Sequence, residues 1–359
     1  MKAPIDTLRL GALLLVTAGS SGAAFAQKPP ASPADCRNIA ASMERLACYD
    51  AAVGRADAAG RESASQAAAP APLASGAPAA AGTAVAAAAP ASSPASIIDA
   101  TWAFDPASPR YDISLHNSNY LLFGRYTDNV NTAPFSPLFQ AAGRQEDLND
   151  VEAKFQISFK ARLWTTDDRR WGVWAAYTQQ SQWQLYNGDE SRPFRETNYM
   201  PELFASYRTD VDLGGGFNWR VLNFGYNHQS NGRSDVLSRS WDRLFATVGL
   251  ERENLALYGT AWYRIPESDA DDDNPDITDY LGHGELTALY RWRGNSFKLS
   301  ARGNLSTGKG AVQAGWFTPP LLGPLRGYLQ VFSGYGESLI DYNWNQTTVG
   351  VGVALNDGF

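Results

Sequence analysis

The sequence predicts an all-β fold: a 12-stranded antiparallel transmembrane β-barrel over residues 111–359. Three observations carry this reading. Segments of eight to fourteen residues alternate apolar and polar and are separated by turn residues. Charged residues fill the polar face of these segments, which no ordinary protein core tolerates but the watery bore of a membrane barrel does. The last segment places Val349, Val351, Val353 and Leu355 on one face and is followed by a terminal Phe359.

Ahead of the barrel the chain reads as three stretches. Residues 1–26 read as a signal peptide: Lys2 and Arg9 precede the apolar run Leu10 to Val16, and Ala24-Phe25-Ala26 supplies a cleavage site. Residues 27–53 form a short helical periplasmic segment holding Cys36 and Cys48, the two cysteines of the chain. Ile39, Met43 and Leu46 share a stripe there. An unbroken helix would hold the two cysteines roughly 18 Å apart, whereas a disulfide needs Cα atoms within about 7 Å. Either the helix folds back or the thiols are unpaired; an oxidising compartment favours pairing. Residues 54–110 are expected to be a disordered linker, Ala/Pro/Ser-rich through about residue 97.

Twelve strand segments follow: 112–126, 153–164, 171–186, 195–210, 217–228, 241–251, 254–266, 279–292, 295–305, 310–318, 325–335 and 342–356. The second is the clearest, with Phe155, Ile157, Phe159, Ala161 and Leu163 opposite Lys154, Gln156, Ser158, Lys160 and Arg162. In the eighth, Tyr280, Leu286, Ala288, Tyr290 and Trp292 oppose His283, Glu285, Thr287 and Arg291. An even strand count suits an up-and-down bacterial barrel with short periplasmic turns. The turns after even segments are indeed short, such as Gly214-Gly215-Gly216 and Arg293-Gly294. The longer loops then share the outer rim. Net charge is -7, which argues against a nucleic-acid partner. Aromatic residues make up 12% of the chain, as interfacial girdles require. Beyond the leader no run reaches the ~18 apolar residues of a spanning helix.

Reactive residue types gather at that outer rim. Residues i and i+2 of a strand share a face. Leu222, Phe224, Tyr226 and His228 therefore lie on one side, with Ser230 beside them if the strand continues. On the next segment Asp242 shares a side with Leu244, Ala246, Val248 and Leu250. A nucleophile, a base and an orienting acid thus sit on the lipid-facing side of adjoining strands, about 4.8 Å apart. The Gly232 N–H is a candidate oxyanion donor. Oxygen ligands crowd the following loop at Ser234, Asp235, Ser238 and Ser240, and hard oxygen donors favour calcium. Of the other two histidines, His283 falls on the bore face among charges, and His116 lies in the first segment with no evident partner.

The run Tyr226-Asn227-His228-Gln229-Ser230-Asn231-Gly232-Arg233-Ser234-Asp235 resembles the active-site signature of the outer-membrane phospholipase A family. The resemblance extends to Arg195-Glu196-Thr197-Asn198-Tyr199, to Asp273-Asn274-Pro275-Asp276-Ile277-Thr278, and to the stretch from Ser333 to Asn343. It covers roughly residues 111–359. It implies a twelve-stranded barrel with catalytic groups on the outside wall: Ser230 as nucleophile, His228 as base, position 242 as third member. Many relatives carry Asn there; this chain has Asp242. The resemblance also implies a catalytic calcium held by the Arg233 carbonyl, the Ser238 hydroxyl and Ser191 of a partner subunit, acting with the Gly232 amide. Asp235 and Asp273 match a further calcium site. A homodimer follows, with Gln179, on the outward face with Trp171, Val173, Ala175 and Tyr177, as a candidate interface residue. The terminal Phe359 resembles the insertion signal of outer-membrane proteins.

The expected activity is calcium-dependent hydrolysis of phospholipid and lysophospholipid acyl esters in the bacterial outer membrane through an acyl-serine. Two rivals stand beside it, the first from a different class. A passive pore would explain the inward charges but not the outward trio. A different outer-membrane hydrolase, such as a lipid A deacylase, would share the trio and differ in its products.

Overall fold

The computed structural model describes residues 96–359, apart from 142, 144–146, 269 and 359, together with Ser32, Cys36, Arg37 and Cys48. The expected signal peptide lies outside the described residues. The chain divides into two compact units, 1–87 and 88–359. In the first, Cys36 and Cys48 are joined by a disulfide with Cα atoms 5.6 Å apart, so the paired alternative holds.

The second unit is built on thirteen strands: β1 Ile113–Leu115, β2 Tyr120–Thr127, β3 Val151–Thr165, β4 Trp171–Trp183, β5 Phe194–Gly214, β6 Phe217–Ser230, β7 Ser240–Arg252, β8 Leu255–Ile265, β9 Gly284–Trp292, β10 Asn295–Asn304, β11 Lys309–Leu322, β12 Leu325–Tyr335 and β13 Asn345–Ala354. Every pairing is between antiparallel neighbours. β13 pairs with β2 and β3 pairs with β4, so the sheet closes on itself. β1 and β2 both pair with β3, Leu115 opposite Phe159 and Tyr120 opposite Gln156. They are two pieces of one barrel strand, which brings the count to the expected twelve. At the break the Asn119 side chain replaces the missing ladder. Its Nδ2 donates to the Ser158 carbonyl at 2.9 Å and its Oδ1 accepts from the Ser158 N–H at 2.7 Å.

The predicted faces are observed. On β3, Ile157 and Phe159 are exposed while Lys154, Ser158, Lys160 and Arg162 are buried. The inward charges lock together. Arg125 bonds Glu337 and Glu152, Lys154 reaches Glu337 at 2.9 Å, and Arg195 joins Glu152 to Asp341. Glu337 and Asp341 belong to the β12–β13 loop, 336–344, which folds into the barrel. Burial alone would raise the Glu337 carboxyl, but Arg125 and Lys154 outweigh it and hold the group well below the usual carboxylate range.

Two expectations need correcting. The end of the presumed linker is ordered. Ile97–Trp102 forms a short helix, α1, N-capped by Ser96. The Glu251 carboxylate, near the β7–β8 turn, accepts from the backbone N–H of Ile97 at 2.6 Å and from Ser96 Oγ at 2.5 Å. Ile98 and Trp102 are buried with Trp174, Phe204 and Tyr258. Burying such side chains stabilises by roughly 1.5–3 kcal/mol each, which outweighs the low-complexity character of the stretch before it. The second correction concerns the eighth segment. Residues Ile277–Leu281 form a helical turn, α3, after α2 at Ser136–Ala141. β9 begins only after Gly282, whose φ is +70° and whose added Cβ would strike the Gly303 carbonyl. Tyr280 accordingly packs against Tyr335 and Tyr342 instead of joining the lipid-facing row.

Candidate active site

Strand register builds the centre of the site. β6 pairs with β7 so that Tyr226 faces Leu244, His228 faces Asp242 and Ser230 faces Ser240. Asn223 and Asn227, the intervening residues, are buried, while Phe224 and Tyr226 are exposed. The His228 row therefore lies on the outer wall. His228 Nδ1 is 2.7 Å from Asp242 Oδ1, with the two side chains 36% and 31% exposed. An ionised carboxylate only accepts, so Nδ1 carries the hydrogen and Nε2 is left with its lone pair. Ser230 stands one same-face step beyond His228. Its Oγ has no hydrogen-bond partner among the described residues. Long or unmade nucleophile contacts are common in ligand-free sites.

Asn231 ties the two ends of the β6–β7 loop, residues 231–239, together. Asn231 Oδ1 accepts from the Arg239 N–H at 3.0 Å and the Arg233 N–H at 3.3 Å, and its Nδ2 donates to the Leu237 carbonyl at 2.8 Å. Gly232 has φ +63°, and a Cβ there would lie 3.0 Å from the Tyr199 ring. Both facts favour glycine, and its peptide is the candidate oxyanion donor. The Arg233 guanidinium donates to the carbonyls of Phe194 and Arg195, at 3.1 and 2.6 Å, fixing the loop to β5.

Of the calcium candidates, Ser238 and Asp273 are brought together: Ser238 Oγ donates to Asp273 Oδ2. Asp235 opens a 3-10 turn at Asp235–Leu237 and is exposed with positive φ. Ser191 lies on the separate β4–β5 loop, exposed, with φ +60° and its N–H bonded to the Gly188 carbonyl. Among the described residues no three acidic, histidine or cysteine side chains cluster as a metal site. The donors present are hydroxyls, a carbonyl and the two carboxylates of Asp235 and Asp273. Such a hard oxygen set fits calcium completed by water or a second copy, in contrast to a self-contained carboxylate cage.

Gln179 is positioned on β4 between Tyr177, whose Oη donates to its Oε1 at 3.1 Å, and Ser181, which accepts from its Nε2 at 3.3 Å. His116, partnerless in the sequence reading, meets Glu202 at 3.1 Å and stacks on Phe204 inside the barrel. His283 is exposed just ahead of β9. Two contributors went unassigned from sequence. Asn231 is one; an Asx-turn residue ahead of glycine was its signal. Tyr226 is the other, and its Oη donates to Asp242 Oδ1 at 2.6 Å.

A closed twelve-strand barrel with an apolar exterior and a charged, interlocked bore is an outer-membrane protein of bacterial type. Comparison with known proteins narrows this. The family model described as Phospholipase A1 matches residues 100–355. Phospholipase A1 of Klebsiella pneumoniae is 44% identical over 249 residues, spanning 68% of this chain and 82% of the relative. The solved structure of outer membrane phospholipase A from Escherichia coli superposes with TM-score 0.65 at 39% identity, covering 74% of this chain and 98% of that one. The outer membrane phospholipase of Salmonella typhi, solved as a dimer with bound calcium, gives TM-score 0.65 at 40% identity, covering 72% and 98%. The chain belongs to the phospholipase A1 family and is a phospholipase of the bacterial outer membrane.

Proposed function

We propose that this phospholipase cleaves acyl esters, sn-1 and sn-2, of phospholipids and lysophospholipids through an acyl-Ser230 intermediate at the lipid-facing wall. The observation that carries the reading is the His228–Asp242 hydrogen bond on the outer wall, one same-face step from Ser230. His228 Nε2 takes the Ser230 Oγ proton as Oγ attacks the ester carbonyl carbon. Asp242 keeps the ring oriented and balances the imidazolium. The Gly232 N–H donates to the oxyanion. His228 then returns the proton to the departing alkoxide, which leaves as the lyso-lipid or glycerol alcohol. Water, deprotonated by His228, attacks the acyl-serine carbonyl; the C–Oγ bond breaks, Ser230 Oγ takes the proton back from His228, and the fatty acid is released.

The Arg233 carbonyl, the Ser238 hydroxyl and Ser191 of a second copy would hold the catalytic calcium, with Asp235 and Asp273 as a further site. When bound, calcium supplies positive charge beside the ester carbonyl. The Salmonella typhi relative was solved as a calcium-bound dimer, which supports a homodimeric active form here, with Gln179 as its candidate interface residue. Residues 1–26 are proposed as the leader, with 27–53 and the stretch after them as a periplasmic extension.

Fatty-acid release from defined phospholipid micelles tests the reading. Ser230→Ala should give a folded barrel with release reduced by a factor of 10³ or more, on the order seen when a serine nucleophile is removed. Retained hydrolysis would remove the assignment.

A further inference from the structure

Asp242 Oδ1 accepts two hydrogen bonds on the outer wall. One comes from His228 Nδ1 at 2.7 Å, the other from Tyr226 Oη at 2.6 Å. Tyr226 stands two residues before His228 on β6, opposite Leu244, and so reaches Asp242 diagonally across the ladder. Both side chains are open to the lipid side, Tyr226 at 38% exposure. An anionic carboxylate facing hydrocarbon is costly unless donors surround it. Where the third member is an amide, that burden does not arise; here it does. We infer that Tyr226 is a positioning residue for the His228–Asp242 pair: its hydroxyl pins the Asp242 carboxylate and disperses its negative charge, which sets how strongly the carboxylate favours the protonated imidazole. The inference rests on the triad reading above.

Few other charges compete at this spot. Behind β7, Arg243 points into the bore and interacts with Asp242 electrostatically. Glu267, on the β8–β9 loop, lies within electrostatic reach of Asp242. On β5, Tyr199 pairs with Ser230, and Glu202 pairs with Asn227 and faces the bore. Neither the β5 groups nor Arg243 hydrogen-bonds the carboxylate, so Tyr226 is the adjustable donor on the lipid side.

Removing the hydroxyl concentrates charge on Asp242, and a more basic carboxylate stabilises imidazolium. In Tyr226→Phe the acid limb of kcat/KM, where His228 must be unprotonated, should move up by about half a pH unit or more. In an Asp242→Asn background the same substitution should leave the limb in place, because no charge remains to disperse. A merely structural role would lower activity equally at every pH. An unmoved limb in the first background, or an equal shift in both, would overturn the inference. NMR titration of the ring of His228, one of three histidines in the chain, reads the same shift in detergent micelles without needing turnover. Ser230→Ala run alongside separates the two failures. If it remains active, the triad reading falls. If it is inactive and Tyr226→Phe leaves both limb and titration unmoved, only the role of Tyr226 falls.

Discussion

Asp242 is the residue where this chain departs from what its family resemblance implies, and two neighbouring donors meet its carboxylate. Its Oδ1 is satisfied twice, by imidazole and phenol. An amide oxygen at the same place could accept the same two bonds. Asp242→Asn should therefore keep activity within about tenfold of the parent, the orientation of His228 surviving while the charge is lost. Complete inactivity in a fatty-acid release assay would show that the negative charge itself is indispensable. The sequence disclosed His228, Ser230 and Asp242 because parity alone assigns their face. It did not disclose the Tyr226 bond, since a tyrosine in a lipid-facing row reads first as girdle.

At the scale of the element, the β6–β7 loop is the device that turns a strand end into a site. Asn231 closes it and Gly232 supplies a backbone that side-chain-bearing residues resist. An alanine at 232 would adopt a left-handed conformation costing about 1–3 kcal/mol while pressing on Tyr199. Gly232→Ala should lower kcat at least tenfold while costing no more than about 1–3 kcal/mol of stability; unchanged turnover would sever the Gly232 amide from the oxyanion. The existence and faces of the strands were readable, though their ends moved by up to five residues and the first strand is broken, because a two-residue period survives any tertiary context in which one face meets lipid. Helical pieces were not. α1 is held by Glu251, more than 150 positions away, and α3 is set by Gly282 against β10; neither leaves a periodic trace.

For the whole molecule, part of the inward charge is locked into a single cluster behind the wall. Glu337, Arg125, Lys154, Glu152, Arg195 and Asp341 form one buried network. This is what a catalytic barrel needs, a stiff support behind a wall that works on its exterior. Removing one partner of such a network leaves buried charge uncompensated, at a cost of about 3–5 kcal/mol. Glu337→Gln should lower the urea unfolding midpoint accordingly. Because the Glu337 carboxyl is held low in the fold, its stabilisation is complete above the unfolded carboxylate value of about 4.3 and is lost as pH falls through the depressed folded value. The parent should thus weaken as pH drops below about 4, and the Gln variant should show a flatter dependence; equal slopes would contradict the pairing. Calcium acts at the same scale. Chelation should abolish release without unfolding the barrel, and activity untouched by EDTA would rule out the cation. The network was legible only as a set of inward charges, since its partners are up to 212 positions apart and sequence spacing cannot match them.

The seam between β2 and β13 sets when this molecule can exist at all. It joins Leu122 to Gly352, and Tyr120 to Ala354, so the cylinder has no closed form until its final strand has been synthesised. A chain cut before Asn345 would present two open edges, β2 and β12, whose bare N–H and C=O groups hydrocarbon cannot satisfy. Closure must therefore wait for β13, because a barrel lacking it leaves backbone groups that hydrocarbon cannot satisfy. Removing residues 345–359 should leave the protein outside the bilayer, in the periplasmic fraction and open to protease.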